Sequence, residues 1–201
     1  MKINNEIIKK TENYVKKIYN KKKSRFHSWK SHVECVVKNA KYIAKKEKLD
    51  VNIAWMGALL HDIGREKETK SIKEHGIISA KEAEKFLKRL NLDQEIIDKI
   101  KDTMMHHSGD NLHLAKTKEA LAVFDADKLE RVGPRGFLRY VAIATRYTHP
   151  EYEVDELFDK AVEKSKNAIK KMKTNTGKKI AKEYFSYTKE FIRGYNKTKC
   201  K

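Results

Sequence analysis

Only two prolines, Pro134 and Pro150, interrupt this 201-residue chain, and glycine is sparse at eight. Lys, Glu, Ala, Ile and Leu recur throughout, and most of these are good helix formers. No alternating strand pattern, internal repeat or low-complexity tract competes. A chain with so few breakers is expected to be all-α. At this length it has room for a single domain with one substantial core.

Apolar spacing divides the chain into helices. Ile3 to about Tyr19 reads as an amphipathic helix, broken at Lys21-Lys22-Lys23-Ser24. Ser28 or Ser31 can cap the next, which carries Val33, Val36, Val37, Ala40, Ile43 and Ala44 and runs to about Lys48. Ile53 to Ile63 is apolar on nearly every side, as at the centre of a bundle, and Gly64 is placed to end it. Helices are expected at Ile72 to Leu90 and Gln94 to His106, then a loop at Ser108-Gly109-Asp110-Asn111. Lys116 to Glu130 and Pro134 to Tyr147 follow, with Pro134 suited to a first turn. The remainder, Val154 to Met172 and Lys179 to Tyr195, reads as a hairpin turning at Thr174-Asn175-Thr176-Gly177. The expectation is one domain over 1–201: a core at about 26–147, an N-terminal helix at 1–22, and a C-terminal hairpin at 151–201.

The longest apolar run, Ile53 to Leu60, is far short of the roughly 20 residues a membrane span needs. No leader pattern precedes it, and Cys35 and Cys200 make no disulfide framework. A cytoplasmic protein without a membrane partner is expected. The net charge of +18, from 46 basic and 28 acidic residues, would attract polyanions. The lysines, however, are spread over every helix, as on a solvated basic surface. Four of the eight arginines, Arg131, Arg135, Arg139 and Arg146, cluster just after Asp125-Ala126-Asp127-Lys128-Leu129-Glu130.

Eight His and ten Asp yield about 0.4 His-Asp dipeptides by chance, so His61-Asp62 needs its context to mean anything. It closes the most apolar helix, in Ala58-Leu59-Leu60-His61-Asp62-Ile63-Gly64. A buried ionisable pair must be paired or bound to a metal, since burial otherwise costs several kcal/mol. His32 begins another apolar-faced helix, and Asp127 follows Val123-Phe124 in a third. Imidazoles with carboxylates suit Mn, Fe, Ni, Zn or Co rather than Ca.

The order His32, His61-Asp62, Asp127 resembles the H…HD…D signature of HD-superfamily metal-dependent phosphohydrolases. The likeness covers about 26–140. It is closest to small single-domain members that include nucleotide pyrophosphohydrolases, with further matches at His27-Ser28-Trp29-Lys30-Ser31-His32, His75-Gly76-Ile77-Ile78-Ser79-Ala80, His106-His107-Ser108 and Gly133-Pro134-Arg135-Gly136-Phe137-Leu138-Arg139. Ser28 stands where Asp is common, and Cys35 where Arg often follows the first ligand. The resemblance implies an HD-domain helical bundle with His32, His61, Asp62 and Asp127 as metal ligands. Asp127 is preferred over Asp125, which two residues away on a helix faces elsewhere.

His75, His106 and His107 correspond in order to histidines that supply a second metal in HD-type cyclic (di)nucleotide phosphodiesterases. The alternative is that they line a single-metal pocket and meet substrate. His113 and His149 read as surface residues. Arg65, Lys128, Arg135 and Arg139 are candidate phosphate contacts. The expected chemistry is attack on phosphorus by metal-bound water held by Asp62 and Asp127, with a divalent cofactor (Mn favoured; Fe, Ni, Co, Zn or Mg as others). The expected substrate is small and phosphorylated, most simply a nucleotide. The competing readings are a dinuclear phosphodiesterase and a non-enzymatic basic module binding nucleic acid.

Overall fold

The computed structural model describes residues 1–21, 26–65, 75–107 and 111–199. The expected break at 21–24, the start of the fourth helix at 72–74, the loop at 108–110 and Cys200 fall wholly or partly outside those residues. Among the described residues there is no strand, in keeping with the all-α expectation. None of the described helices is long and apolar enough to cross a membrane.

The chain divides into two compact units, Met1–Asp127 and Lys128–Lys201. In the first, α1 (Asn5–Lys21) buries Ile7, Ile8, Thr11, Val15 and Tyr19 on one stripe. A single π-helical turn, Trp29–Val33, leads into α2 (Glu34–Lys46). Ser28 caps that turn: its Oγ accepts from Ser31 N–H at 3.1 Å, and Ser31 Oγ accepts from Ser28 N–H at 3.0 Å. The second helix therefore begins with a wider turn than the sequence pattern suggests.

Helix α3 (Val51–Leu60) starts at Asp50, whose carboxylate accepts from Asn52 N–H at 2.9 Å and Ile53 N–H at 3.1 Å. Seven of its residues from Ile53 to Leu60 are buried. Burying each large apolar side chain contributes roughly 1.5–3 kcal/mol, which is why the helix sits at the centre against α1, α2, α4 (His75–Arg89) and α5 (Gln94–Met105). It ends at Leu60, earlier than the expected Gly64, and His61 to Gly64 form the turn beyond. Glycines set the close approaches. A Cβ on Gly57 would fall 1.9 Å from Thr103 Oγ1 on α5, and one on Gly76 would fall 2.7 Å from Met104 O. Helix α6 (Lys118–Leu129) carries Asp125 and Asp127, both buried.

In the second unit, α7 (Gly133–Ile143), α8 (Val154–Lys171) and α9 (Asn175–Thr198) surround Phe137, Phe158, Ala161 and Val162. Pro134 occupies the first turn of α7. Gly133 has φ +79° against Tyr184 on α9, a conformation that favours glycine. The expected turn at 174–177 is instead the start of α9: Thr174 Oγ1 accepts from Gly177 N–H at 2.9 Å, so the helix begins there.

Candidate metal centre

Five chain segments meet around Asp62, which is 1% exposed. The turn after α3 supplies His61 and Asp62, the π-turn supplies His32, α6 supplies Asp127, and α4 and the end of α5 supply His75 and His107. Gly64 N–H donates to Ser79 Oγ at 3.0 Å, tying the His61–Asp62 turn to α4.

The side chains face one another through their ring nitrogens and carboxylate oxygens. His32 Nε2 lies 3.0 Å from His61 Nε2 and 3.6 Å from both Asp62 Oδ2 and Asp127 Oδ1. His61 Nε2 lies 3.5 Å from Asp62 Oδ2. On the other carboxylate oxygen, His75 Nε2 and His107 Nε2 each lie 3.3 Å from Asp62 Oδ1 and 3.0 Å from each other. Asp62 therefore separates two clusters, one per oxygen.

Backbone carbonyls choose the tautomers. A carbonyl can only accept, so His61 Nδ1–H donates to Ala58 O at 2.7 Å and His107 Nδ1–H to Met104 O at 2.5 Å. In the neutral rings this turns an Nε2 lone pair toward Asp62. Burial pushes His61 down to about 3, with His107 and His32 adding to the shift. For Asp62, burial alone raises the pKa. The facing imidazoles of His61, His107, His27 and His32 outweigh it and hold the carboxyl well below the usual carboxylate range. Lone pairs and carboxylates gathered at this density need shared protons or a cation between them.

The donor set fits a cation. Ligand atoms about 2.1 Å from one ion stand roughly 3.0 to 3.4 Å apart when adjacent, and the separations of His32 from His61, Asp62 and Asp127 and of His61 from Asp62 run from 3.0 to 3.6 Å. Three sets of ligand atoms, His27-His32-Asp62, His32-His61-Asp127 and His61-Asp62-His107, each lie within 4.8 Å of one another.

The other sequence candidates fall in several places. Arg65 Nη1 reaches Asp62 Oδ2 at 3.1 Å with 39% of its side chain exposed. His106 points elsewhere: its Nδ1 contacts Asp102 O at 3.0 Å and Asp102 Oδ1 at 3.1 Å. Asp102 itself accepts from Lys116 N–H and from Thr117 N–H and Oγ1–H, pinning the segment before α6. Asp125 is buried on α6. In the second unit Lys128 is buried, Arg139 is half-buried, and exposed Arg135 donates through Nη1 to both oxygens of Glu130 at 2.7 Å.

A site residue that the sequence placed in a family-like motif but gave no role is His27, whose Nε2–H donates to Asp62 Oδ2 at 2.5 Å. Its ring lies 4.2 Å from that of His32, five residues on. The i to i+5 hydrogen bond of the π-turn, Val33 N–H to Ser28 O at 3.4 Å, accompanies this pairing. An α-helical spacing rule, which pairs i with i+3 and i+4, does not find it.

The HD domain family model matches residues 30–132, just over half the chain and spanning His32 to Asp127. The chain belongs to the HD domain family. It is 28% identical over 176 residues to the Bacillus subtilis protein YpgQ, covering 85% of this chain and 83% of that one. The crystal structure of YpgQ in complex with ADP matches with TM-score 0.75 at 23% identity, over 94% of this chain and 93% of that one. An HD-superfamily hydrolase from Bacillus thuringiensis matches with TM-score 0.75 at 26% identity, over 96% of both chains.

Proposed function

We propose that this protein is a divalent-metal-dependent phosphohydrolase acting on phosphate or phosphoanhydride bonds of a nucleotide. The observation that carries the reading is the convergence of His32, His61, Asp62 and Asp127 at ligand-ligand spacing, with the His61 tautomer set for coordination. The ADP complex of YpgQ supports a nucleotide as the class of substrate.

When bound, a divalent ion polarises a phosphoryl oxygen and acidifies water at neutral pH. The protein's own groups do the rest. His61 and His32 present buried nitrogen donors, and the Asp62 and Asp127 carboxylates supply the balancing charge and acceptors that orient water for attack. Arg65, at the exposed edge of the cluster, is placed to neutralise charge on phosphoryl oxygens through a forked guanidinium. Lys128, Arg135 and Arg139 are proposed for phosphate on sequence resemblance. For Arg135 a phosphate would have to displace the Glu130 carboxylate.

A second reading, a dinuclear phosphodiesterase, is favoured by one observation: His75, His107 and Asp62 Oδ1 form a separate triangle with sides of 3.0 to 3.3 Å. The deciding experiment incubates a panel of nucleotides and cyclic (di)nucleotides with Mn, Mg, Co and Ni, and reads phosphate or pyrophosphate release from the linear substrates and the ring-opened monoester products from the cyclic ones. Metal-dependent release from linear nucleotides supports the first reading, and turnover confined to cyclic substrates supports the second. No metal-dependent hydrolysis product from any substrate would overturn both.

A further inference from the structure

We propose that His27 is a fifth protein ligand of the ion held by His32, His61, Asp62 and Asp127, entering from the solvent side. The proposal rests on the reading of this cluster as a metal centre and deepens it.

Three features place His27 there. Its Nε2 is 2.5 Å from Asp62 Oδ2, the oxygen that faces His32 and His61. A ligand atom from each of His27, His32 and Asp62 fits within 4.8 Å. Its ring lies at 4.2 Å and 33° to that of His32, so the two imidazoles approach the same carboxylate side by side. The present contact is a hydrogen bond, with a proton between nitrogen and oxygen. Two adjacent ligands about 2.1 Å from one ion are separated by about 3 Å. Exchanging the proton for an ion therefore asks the side chain to retreat by only about half an ångström.

The local structure allows that retreat. The His27 side chain is 19% exposed, against 3% or less for His32, His61 and Asp62. It stands on the bend before the Ser28-capped turn rather than inside a helix. His32 and His61 are enclosed on every side, whereas His27 is the imidazole of the three that reaches solvent. The reciprocal Ser28–Ser31 cap fixes the backbone beneath it.

The test uses the full chain, stripped with a chelator and loaded with less than one equivalent of Co(II). X-ray absorption is expected to count three imidazoles per ion in the wild type and two in His27→Ala. The visible ligand-field bands should change intensity in the same variant, and Co(II) affinity should fall at least about tenfold. His27→Gln keeps an N–H able to donate to Asp62 but loses the imidazole, and is expected to behave like His27→Ala. Because His27 lies at the edge, the metal-free variants should fold with unchanged helical content. An imidazole count equal in wild type and His27→Ala overturns the proposal while leaving the metal centre standing. Absence of any bound ion in the wild type overturns the metal-centre reading, and this proposal with it.

Discussion

The ring nitrogens of His75 and His107 meet at 3.0 Å, although 31 residues lie between them. Each also faces Asp62 Oδ1, so a carboxylate in the turn after α3 is contacted on both oxygens by histidines, those on Oδ1 coming from α4 and the end of α5. The arrangement depends on Gly57 and Gly76, which let α3 and α4 press against α5.

Metal count follows from that geometry. One tightly held ion per chain is expected by elemental analysis after dialysis, and His106→Ala should leave it in place because His106 bonds to Asp102. Two ions in the wild type, with the second lost in His107→Ala, would move the protein to the dinuclear reading.

Asp62→Ala removes the carboxylate on which both clusters converge. The ion should be lost and hydrolysis should fall below detection. The wild type should also gain stability on adding metal, about 2.7 kcal/mol at a hundredfold excess over Kd, and the variant should not. Thermal unfolding with and without Mn measures the gain. Full activity in Asp62→Ala would end the proposed mechanism.

Phosphate recognition is tested at two arginines. Arg65→Ala and Arg139→Ala are each expected to lower kcat/KM on the order of 10- to 1000-fold with metal content unchanged. Lysine at either position should recover only part, since it keeps the charge without the fork. Kinetics within twofold on every substrate would assign that arginine to the solvated surface.

One ion pair gives a pH-dependent link between α4 and α5. Hydrogen bonds from Lys101 at 2.6 Å and Lys88 at 2.9 Å push Glu84 down to about 2. A carboxyl whose folded pKa lies below its unfolded value of 4.5 stabilises the fold above that value. The contribution is lost as pH falls from about 4.5 toward 2. Urea unfolding should show Glu84→Gln less stable than wild type at pH 7 by less than about 1 kcal/mol, the side chain being partly exposed. The gap should close on acidification and shrink in high salt. A gap that persists at pH 2 would assign the effect to packing.

The helices were legible because burial patterns are local. The stripe Ile7, Ile8, Val15 and the all-round apolar run from Ile53 could be read from spacing alone, as could His61-Asp62 at the end of that run. Tertiary structure decided what depends on contacts between segments. Ending α3 at Leu60 put His61 and Asp62 in a turn anchored by Ser79, a residue beyond the reach of helical periodicity. His106 and His107 are adjacent and chemically identical in sequence. One bonds to Asp102 and the other faces Asp62, because the end of α5 can turn only one of them inward. His27 joined the site through a π-turn whose i to i+5 pairing lies outside the α-helical spacing rules. Sequence carried the residue types and the local periodicity. The ligand-facing nitrogens of His61 and His107 were fixed by Ala58 O and Met104 O, because a tautomer is chosen by the hydrogen-bond partner that the fold brings to it.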